Sequence, residues 1–177
     1  FGKLQHTLGY ELTPGAQAGT IKTIKDGNNS VTTLSDWKRG IPQMIKFPPT
    51  PEALAGAEKS AGVTDSGSIG WVNDENGYKT CYDYDSMGRM SGITQTSEAT
   101  AGICDSTAWN KTTLAFEKIN SAEYGIAANH WRQTITTGNA KKITYFDARW
   151  RPLVTHEYDA ANVAGTQRFQ RFAYDPE

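Results

Sequence analysis

Short runs of alternating polar and apolar residues, each bounded by turn-forming residues, recur along this chain. The run Thr20–Lys25 alternates and ends at Asp26-Gly27, and Asn76-Gly77 separates Gly70–Val72 from Tyr78–Tyr84. Alternation with a period of two is typical of a half-buried strand, and Asn-Gly or Asp-Gly between two such runs indicates a hairpin. The pattern therefore predicts strands joined by tight turns.

Similar runs follow to the end of the chain, without the strand–helix rhythm of a parallel sheet. They lie at Val31–Leu34, Ile41–Phe47, Trp109–Phe116, Trp131–Thr137, Lys142–Phe146, Leu153–Tyr158 and Thr166–Tyr174. Among these, only Phe116–Ala128 suggests a helical turn. Residues 48–68 are small, polar and glycine-rich, and they predict a long loop in which Pro51–Ala61 fits a short helix or a surface loop equally well. We expect an all-β antiparallel sheet with less than about a tenth helix.

The composition agrees with this fold class. Leu, Ile, Val and Phe make up only 29 of 177 residues, but the net charge is −1, and the chain carries 5 Trp, 8 Tyr and 6 Phe. Disorder would require a high net charge, whereas aromatic rings each bury roughly 150–250 Å². Thr outnumbers Leu by 21 to 7, which favours pleated surfaces.

The charge and hydropathy patterns restrict the classes of partner that this chain can bind. A near-neutral chain offers no electrostatic footprint for nucleic acid or an anionic membrane surface. No stretch approaches the roughly 20 apolar residues of a transmembrane helix. We therefore expect no nucleic acid and no membrane span. Because the chain opens at Phe1 rather than at methionine, we also expect a processed product or a piece of a longer polypeptide.

One short motif recurs. The stretch "CYDYDSMGRM" at residues 81–90 contains an aromatic residue directly before aspartate, and the same step occurs at Tyr84-Asp85, Phe146-Asp147, Tyr158-Asp159 and Tyr174-Asp175. Two residues before each aromatic stand Tyr82, Thr144, His156 and Phe172, so three of the four strands place two rings on one face. Each aspartate is predicted at a strand end, where its carboxylate accepts N–H bonds from the turn.

The residues after the aspartate complete the unit. Gly88 can supply a positive φ, and the strand returns at Met90 or Leu153. Arg89 and Arg151 can lay their apolar stems across neighbouring rings and donate to carbonyls or carboxylates. Tyr-Asp-x-x-Gly-Arg therefore predicts a strand–turn–strand unit, with Tyr82-Asp83 supplying the second ring of the same strand.

These residues resemble the YD repeats of RHS-repeat proteins. The resemblance covers residues 71–177 through "YDYDSMGRM", "YFDARWRPLV", "HEYDAAN" and "FAYDPE", and more loosely Thr33–Pro48. Trp150 stands where glycine is usual, and Asn162 with Gly165 replaces the compact Gly-Arg turn, so altered turns are expected there. The aspartates are irregularly spaced, 62, 12 and 16 residues apart. We divide the chain into a degenerate repeat region at residues 1–70 and a YD-repeat region at residues 71–177.

The resemblance implies a β-ribbon that spirals into a shell around a toxic cargo domain. Relatives act in interbacterial competition or insecticidal toxin complexes, or as animal cell-surface adhesion proteins. The implied partners are the rest of the shell, the encapsulated toxin and delivery-apparatus proteins. The implied location is the cell exterior, after assembly in the bacterial cytoplasm. The family's autoproteolytic aspartyl motif is not visible in this sequence, so no catalytic residue is assigned.

Other chemistry finds weaker support in the sequence. Asp83 and Asp85 could act as a general acid and base pair, but the repeated motif favours a turn-capping role for both. His6, His130 and His156 show no metal-ligand spacing, and no GxSxG motif occurs, so we expect no enzyme, cofactor or metal. Cys81 and Cys104 could form a bond that closes a loop of about 22 residues and stabilises by about 3 kcal/mol, or could remain reduced.

The aromatic residues leave an alternative function open. Exposed rings could stack on sugars, which would make the chain a carbohydrate- or receptor-binding β module of a secreted or cell-surface protein. The competing interpretation is that Tyr78, Tyr82 and Tyr84 form an apolar layer between neighbouring ribbons.

Overall fold

The computed structural model describes residues 5–97, 100 and 102–175. Phe1, on which the expectation of a processed or partial chain rests, and the last two residues of the repeat copy "FAYDPE" lie outside this range. The strands are β1 (His6–Tyr10), β2 (Ile21–Asp26), β3 (Val31–Lys38), β4 (Ile41–Lys46), β5 (Glu58–Val63), β6 (Ile69–Asn73), β7 (Lys79–Tyr84), β8 (Met90–Gln95), β9 (Thr112–Ile119), β10 (His130–Thr137), β11 (Ala140–Phe146), β12 (Pro152–Asp159) and β13 (Arg168–Arg171).

The strands form one antiparallel sheet of 13 strands, ordered β1 to β13 as in the sequence. The helix α1 (Val163–Thr166) is a single turn of 4 residues, and it is the only α-helix among the described residues. The predicted all-β antiparallel fold is therefore confirmed. No helix in the described ranges is long and apolar enough to span a membrane.

Contacts divide the chain into two compact units. Unit 1 comprises Phe1–Tyr82 and Gln95–Asp105, and unit 2 comprises Asp83–Thr94 and Ser106–Glu177. The boundaries fall inside β7 and β8, so each of these strands contributes residues to both units. The predicted division at residue 70 concerned repeat content and stays a prediction.

In unit 1, one side chain ties the loop before β2 to β3. The side-chain amide of Gln17 accepts the backbone N–H of Trp37 at 2.8 Å and donates to the carbonyl of Trp37 at 3.1 Å. The indole N–H of Trp37 donates to the carbonyl of Ile21 at 3.0 Å. Among the described residues of this unit, the buried apolar side chains are Leu34 on β3 and Val63 on β5.

The core of unit 2 lies on one face of β11 and β12. Ile143 and Tyr145 are two residues apart and therefore share a face, where they cluster with Val154. The loop at residues 120–129 covers this face, with the ring of Tyr124 centred 5.4 Å from that of Tyr145. Burial raises the pKa of Tyr145 to about 12. Beside the core, His156 is buried and stacks on Phe169 at 4.1 Å.

Two sequence-based predictions are wrong here. The predicted helical turn at Phe116–Ala128 is instead the end of β9 and the covering loop, because the period-two pattern continues through Phe116, which pairs with Gln133. The predicted loop at residues 48–68 contains β5, which pairs with β4 and β6. Its small residues serve close packing, since a Cβ at Gly62 would overlap the indole of Trp71.

Candidate functional site

The turn between β7 and β8 is organised by one carboxylate. Asp85 follows the last residue of β7, as predicted, and its Oδ1 accepts the backbone N–H groups of Met87 and Arg89, both at 2.9 Å. Its Oδ2 accepts Nε of Arg89 at 2.7 Å and Nη2 at 2.7 Å. Gly88 has a φ of 77°, so its predicted positive φ is confirmed.

The backbone of this turn has its own pair of hydrogen bonds. The N–H of Asp85 donates to the carbonyl of Arg89 at 2.8 Å, and the N–H of Gly88 donates to the carbonyl of Asp85 at 2.9 Å. This is a three-residue hairpin loop in which a left-handed residue follows a tight turn. The left-handed position favours glycine because a side chain there meets the backbone.

The same turn recurs between β11 and β12. Oδ1 of Asp147 accepts the backbone N–H of Arg149 at 2.8 Å and that of Arg151 at 2.9 Å, and Oδ2 accepts Nε of Arg151 at 2.8 Å. Trp150 occupies the left-handed position with a φ of 62°. The expectation that tryptophan there would alter the turn is wrong, because the backbone bonds are kept at 3.0 and 3.1 Å.

Unit 1 contains three more copies, which the sequence pattern did not identify as the same turn. They begin at Asp26, Thr64 and Asp74, where the first N–H donates to the fifth carbonyl at 3.0, 2.8 and 3.0 Å. The fourth residues, Asn29, Gly67 and Gly77, have φ values of 68°, 89° and 82°. The signal in the sequence is a short side-chain acceptor followed three residues later by glycine or asparagine.

The remaining two Tyr-Asp pairs differ from this pattern. Asp159 accepts the N–H of Ala161 at 2.8 Å, and the chain then enters α1, whose first turn is capped by Asn162. The altered turn expected at Asn162 is therefore confirmed. Tyr174 lies three residues beyond β13, so its predicted place at a strand end is wrong. Its hydroxyl donates to the carbonyl of Pro152 at 2.9 Å.

Asp83 does not cap the turn, contrary to our interpretation. It lies within β7, and its carboxylate pairs with the ammonium of Lys111 at 2.6 Å. Because neighbouring strand residues alternate between faces, Asp83 shares its face with Asp85, but only Asp85 reaches the turn N–H groups. The two carboxylates therefore have different partners.

The environment of the turn aspartates keeps them ionised. The backbone N–H of Arg89, followed by its guanidinium, lowers the pKa of Asp85. The backbone N–H of Arg151 is the largest contribution that lowers the pKa of Asp147, with partial desolvation opposing it. An ionised carboxylate engaged by four donors, as at Asp85, or by three, as at Asp147, suits a turn cap and cannot supply a proton as a general acid.

The arginines of both turns reach aromatic rings with their guanidinium groups, whereas the sequence predicted that their apolar stems would lie across the rings. The guanidinium of Arg89 lies 5.0 Å from the ring centroid of Phe116, and that of Arg151 lies 4.5 Å from the ring centroid of Tyr174. The predicted side-by-side rings are present at His156 and Tyr158, with centroids 4.6 Å apart. Each arginine thus joins its turn to a ring through a cation–π contact.

Trp150 takes part in an aromatic cluster that sequence reasoning missed. Its ring is centred 5.3 Å from Phe116, 5.6 Å from Trp131 and 6.3 Å from Phe146, and 54% of the residue is exposed. Phe116 and Trp131 are themselves stacked at 5.3 Å. The register brings Trp131 opposite Phe146, but the loop residue Trp150 has no strand pattern that would have predicted its position.

Cys81 on β7 and Cys104 form a disulfide bond across 23 positions of the sequence, with Cα atoms 6.1 Å apart. This resolves the choice between bonded and reduced cysteines that the sequence left open. The bond lies in unit 1 and ties the segment after β8 back to β7. In the same place, the carbonyl of Lys79 accepts the hydroxyl of Thr96 at 2.6 Å.

The three histidines lie on three different strands. His6 begins β1, His130 begins β10 and His156 lies in β12. Nδ1 of His130 is 2.9 Å from the carbonyl of Ala127, and burial lowers the pKa of His156. Across residues 5–97, 100 and 102–175, no group of three or more His, Cys, Asp or Glu side chains could hold a metal ion.

A scan against models of protein families finds none that matches this chain, and a search of curated proteins finds no match.

Proposed function

We propose that this chain is a non-enzymatic structural segment of an RHS/YD-repeat shell that encapsulates a toxin cargo. The observation that carries the proposal is the strictly sequential sheet in which five hairpins share one turn design. A sheet in which each strand pairs only with its neighbours in the chain can be lengthened by adding further hairpins at either edge. A wall of variable length can be built in this way.

The chemistry of the repeated motif supports a structural role. The two carboxylates that accept from both backbone and arginine, at Asp85 and Asp147, are fully engaged in holding their turns. The partners in this proposal are the rest of the shell, the enclosed toxin domain and delivery-apparatus proteins. The setting is interbacterial competition or insecticidal toxin delivery.

The disulfide bears on the proposed location. A disulfide bond between Cys81 and Cys104 persists in an oxidising environment, whereas in most cytosols the two cysteines would be kept as thiols. We infer that the shell folds in the bacterial cytoplasm with both thiols reduced and close together, and that the bond forms once the shell is outside the cell.

Protection of cargo from protease tests the proposal. The native polypeptide that contains this chain is isolated from its source and treated with protease before and after mild denaturation. We expect a cargo polypeptide that resists digestion until denaturation. A variant with Asp85→Ala and Asp147→Ala should release it at lower denaturant, because two turns lose their caps. A native polypeptide in which no second segment is protected would refute encapsulation.

A further inference from the structure

A pocket in unit 2 lies beside the aromatic cluster. It has a volume of about 410 Å³ and lies between the covering loop and the ends of β10 and β11. Trp131 and Phe146, which lie opposite one another on neighbouring strands, supply its aromatic wall. Sites for small molecules usually measure roughly 300–1,000 Å³ and combine apolar walls with a few polar groups. This pocket falls within that range.

The wall is supported by a residue in a strained conformation. Trp150 has a φ of 62° at a position where the other four copies of the turn carry glycine or asparagine. A bulky residue persists in that conformation only where its surroundings hold it, and such outliers concentrate at functional sites. The ring of Trp150 packs against both wall residues, at 5.6 and 6.3 Å. The strained residue therefore lies directly beside the aromatic wall of the pocket.

The polar groups of the pocket favour a neutral ligand. Asp147 lines it, but both oxygens of its carboxylate are engaged by the turn. His130 also lines it and is buried, with Nδ1 held by the carbonyl of Ala127. The backbone groups of Gly125 and Ala128 and the side-chain amide of Asn129 form no hydrogen bond within the described ranges. These residues are exposed to solvent, and their donors and acceptors line the pocket together with its aromatic wall.

We propose that this pocket binds a neutral hexopyranose unit of a glycan, with the sugar ring stacked on the Trp131–Phe146 wall. Sugar hydroxyls both donate and accept, so they can satisfy N–H, C=O and amide groups together, while the C–H face of the ring covers the aromatic wall. A proline-rich peptide also stacks on aromatic rings, but proline has no N–H and would leave the carbonyls of the pocket without donors. This inference goes beyond the shell proposal and does not depend on it.

The test follows the indole N–H signals of the 5 tryptophans by NMR while the folded chain is titrated with sugars. The probes are methyl glucopyranoside, methyl galactopyranoside and N-acetylglucosamine, with decaproline as the competing ligand. We expect at least one sugar to shift the Trp131 and Trp150 signals saturably, and decaproline to leave them unchanged. If no sugar does so, or if only decaproline does, the proposal is wrong.

Two variants with matched controls locate the site. Asn129→Gly removes the amide but keeps a residue suited to the φ of 68°, and Asn29→Gly makes the same change at the same φ in unit 1. Trp150→Gly removes the ring that supports the wall, and Trp109→Ala removes another exposed tryptophan, at 48%, outside the cluster.

We expect Asn129→Gly and Trp150→Gly each to weaken sugar binding by about tenfold, or roughly 1.4 kcal/mol, and the two controls to leave it unchanged. Trp150→Gly should keep the melting temperature, because glycine relieves the backbone strain while the ring contacts are lost. A large fall in melting temperature with unchanged affinity would assign Trp150 to packing alone and overturn its role in the site.

Discussion

The fourth position of the repeated turn shows how one residue sets the strain of a hairpin. Gly67, Gly77 and Gly88 take its left-handed backbone freely, Asn29 takes it at a modest cost, and Trp150 takes it against its intrinsic preference. The residue at the first position also varies between copies. In one copy the hydroxyl of Thr64, in place of a carboxylate, accepts the backbone N–H of Ser68 at 3.1 Å. The turn therefore requires a side-chain acceptor at its first position more than it requires the letters Tyr-Asp, and it favours glycine or asparagine at the fourth position, where Trp150 is held under strain.

Gly88 tests this requirement without interference from packing. A Cβ at Gly88 would meet nothing within 4 Å, so the φ of 77° is the only source of strain. Gly88→Ala should lower the free energy of unfolding by about 1–2 kcal/mol, measured by urea denaturation. Gly88→Asn should lose less, because asparagine tolerates this conformation. Equal midpoints for Gly88→Ala and the wild-type chain would show that the turn is unstrained.

The capping carboxylates predict a specific pH dependence. Because the folded-state pKa of Asp85 is lowered, its contribution to stability is fully present above the ordinary pKa of about 4 and is lost as pH falls through the folded-state value. Asp85→Asn should therefore destabilise the chain at pH 7 and lose this effect in acid. Urea midpoints of both proteins from neutral to acidic pH measure the difference.

Asp83→Asn is the control for that series. Asp83 lies two residues away and pairs with Lys111 on the surface, where such pairs contribute little. Its removal should change the midpoint only slightly at neutral pH. If Asp83→Asn destabilises as much as Asp85→Asn, the turn cap is not the source of the effect.

At the scale of elements, the sequence predicts strands wherever the apolar pattern is long and bounded by turns. The segments β2, β10 and β12 fall within a residue or two of their predicted positions. β5 escaped prediction because Ala61 and Gly62 carry no apolar alternation, and their smallness matters only once Trp71 lies across them. Tertiary contact, not local preference, makes that segment a strand.

The candidate sites also differ in whether the sequence could predict them. The turn at Asp85 could be predicted because the hydrogen bonds of its carboxylate lie within five residues. The cluster around Trp150 could not, because it joins residues of β9, β10 and a turn that only the fold brings together. The partner of Asp83 was missed for a similar reason, since Lys111 is distant in sequence.

The disulfide gives an element-scale prediction. Linking Cys81 to Cys104 across 23 positions restricts the unfolded chain and should stabilise unit 1 by about 3 kcal/mol. Reduction with dithiothreitol should therefore lower the urea midpoint of the wild-type chain. The double variant Cys81→Ser/Cys104→Ser should start at the lower midpoint and show no response to the reductant. A wild-type midpoint that does not change on reduction would contradict a stabilising role.

For the whole molecule, the consequence of the sequential strand order is a pair of sheet edges. β1 and β13 each pair on one side only within the described chain, and all four residues of β13 are exposed. An unpaired edge presents N–H and C=O groups that recruit another strand. In the proposed shell, further hairpins would fill both edges. In the isolated chain, these edges should cause self-association.

The backbone direction of β13 allows a selective test of that prediction. Phe172 donates to the carbonyl of Leu153, and backbone groups alternate between the two sides of an antiparallel strand, so the N–H of Arg171 points away from β12. Arg171→Pro should remove this outward donor and leave the pairing with β12 intact. Arg171→Ala is the matched control, because it loses the same contact with the carbonyl of Tyr124 but keeps the N–H.

Sedimentation velocity over a range of protein concentrations measures the association. We expect the wild-type chain and Arg171→Ala to form larger species with rising concentration, and Arg171→Pro to associate about tenfold more weakly, since one or two interchain hydrogen bonds are lost. Equal association of the two variants would place the contact elsewhere. A wild-type chain that stays monomeric at every concentration would show that its edges are protected, which would count against further hairpins adding there.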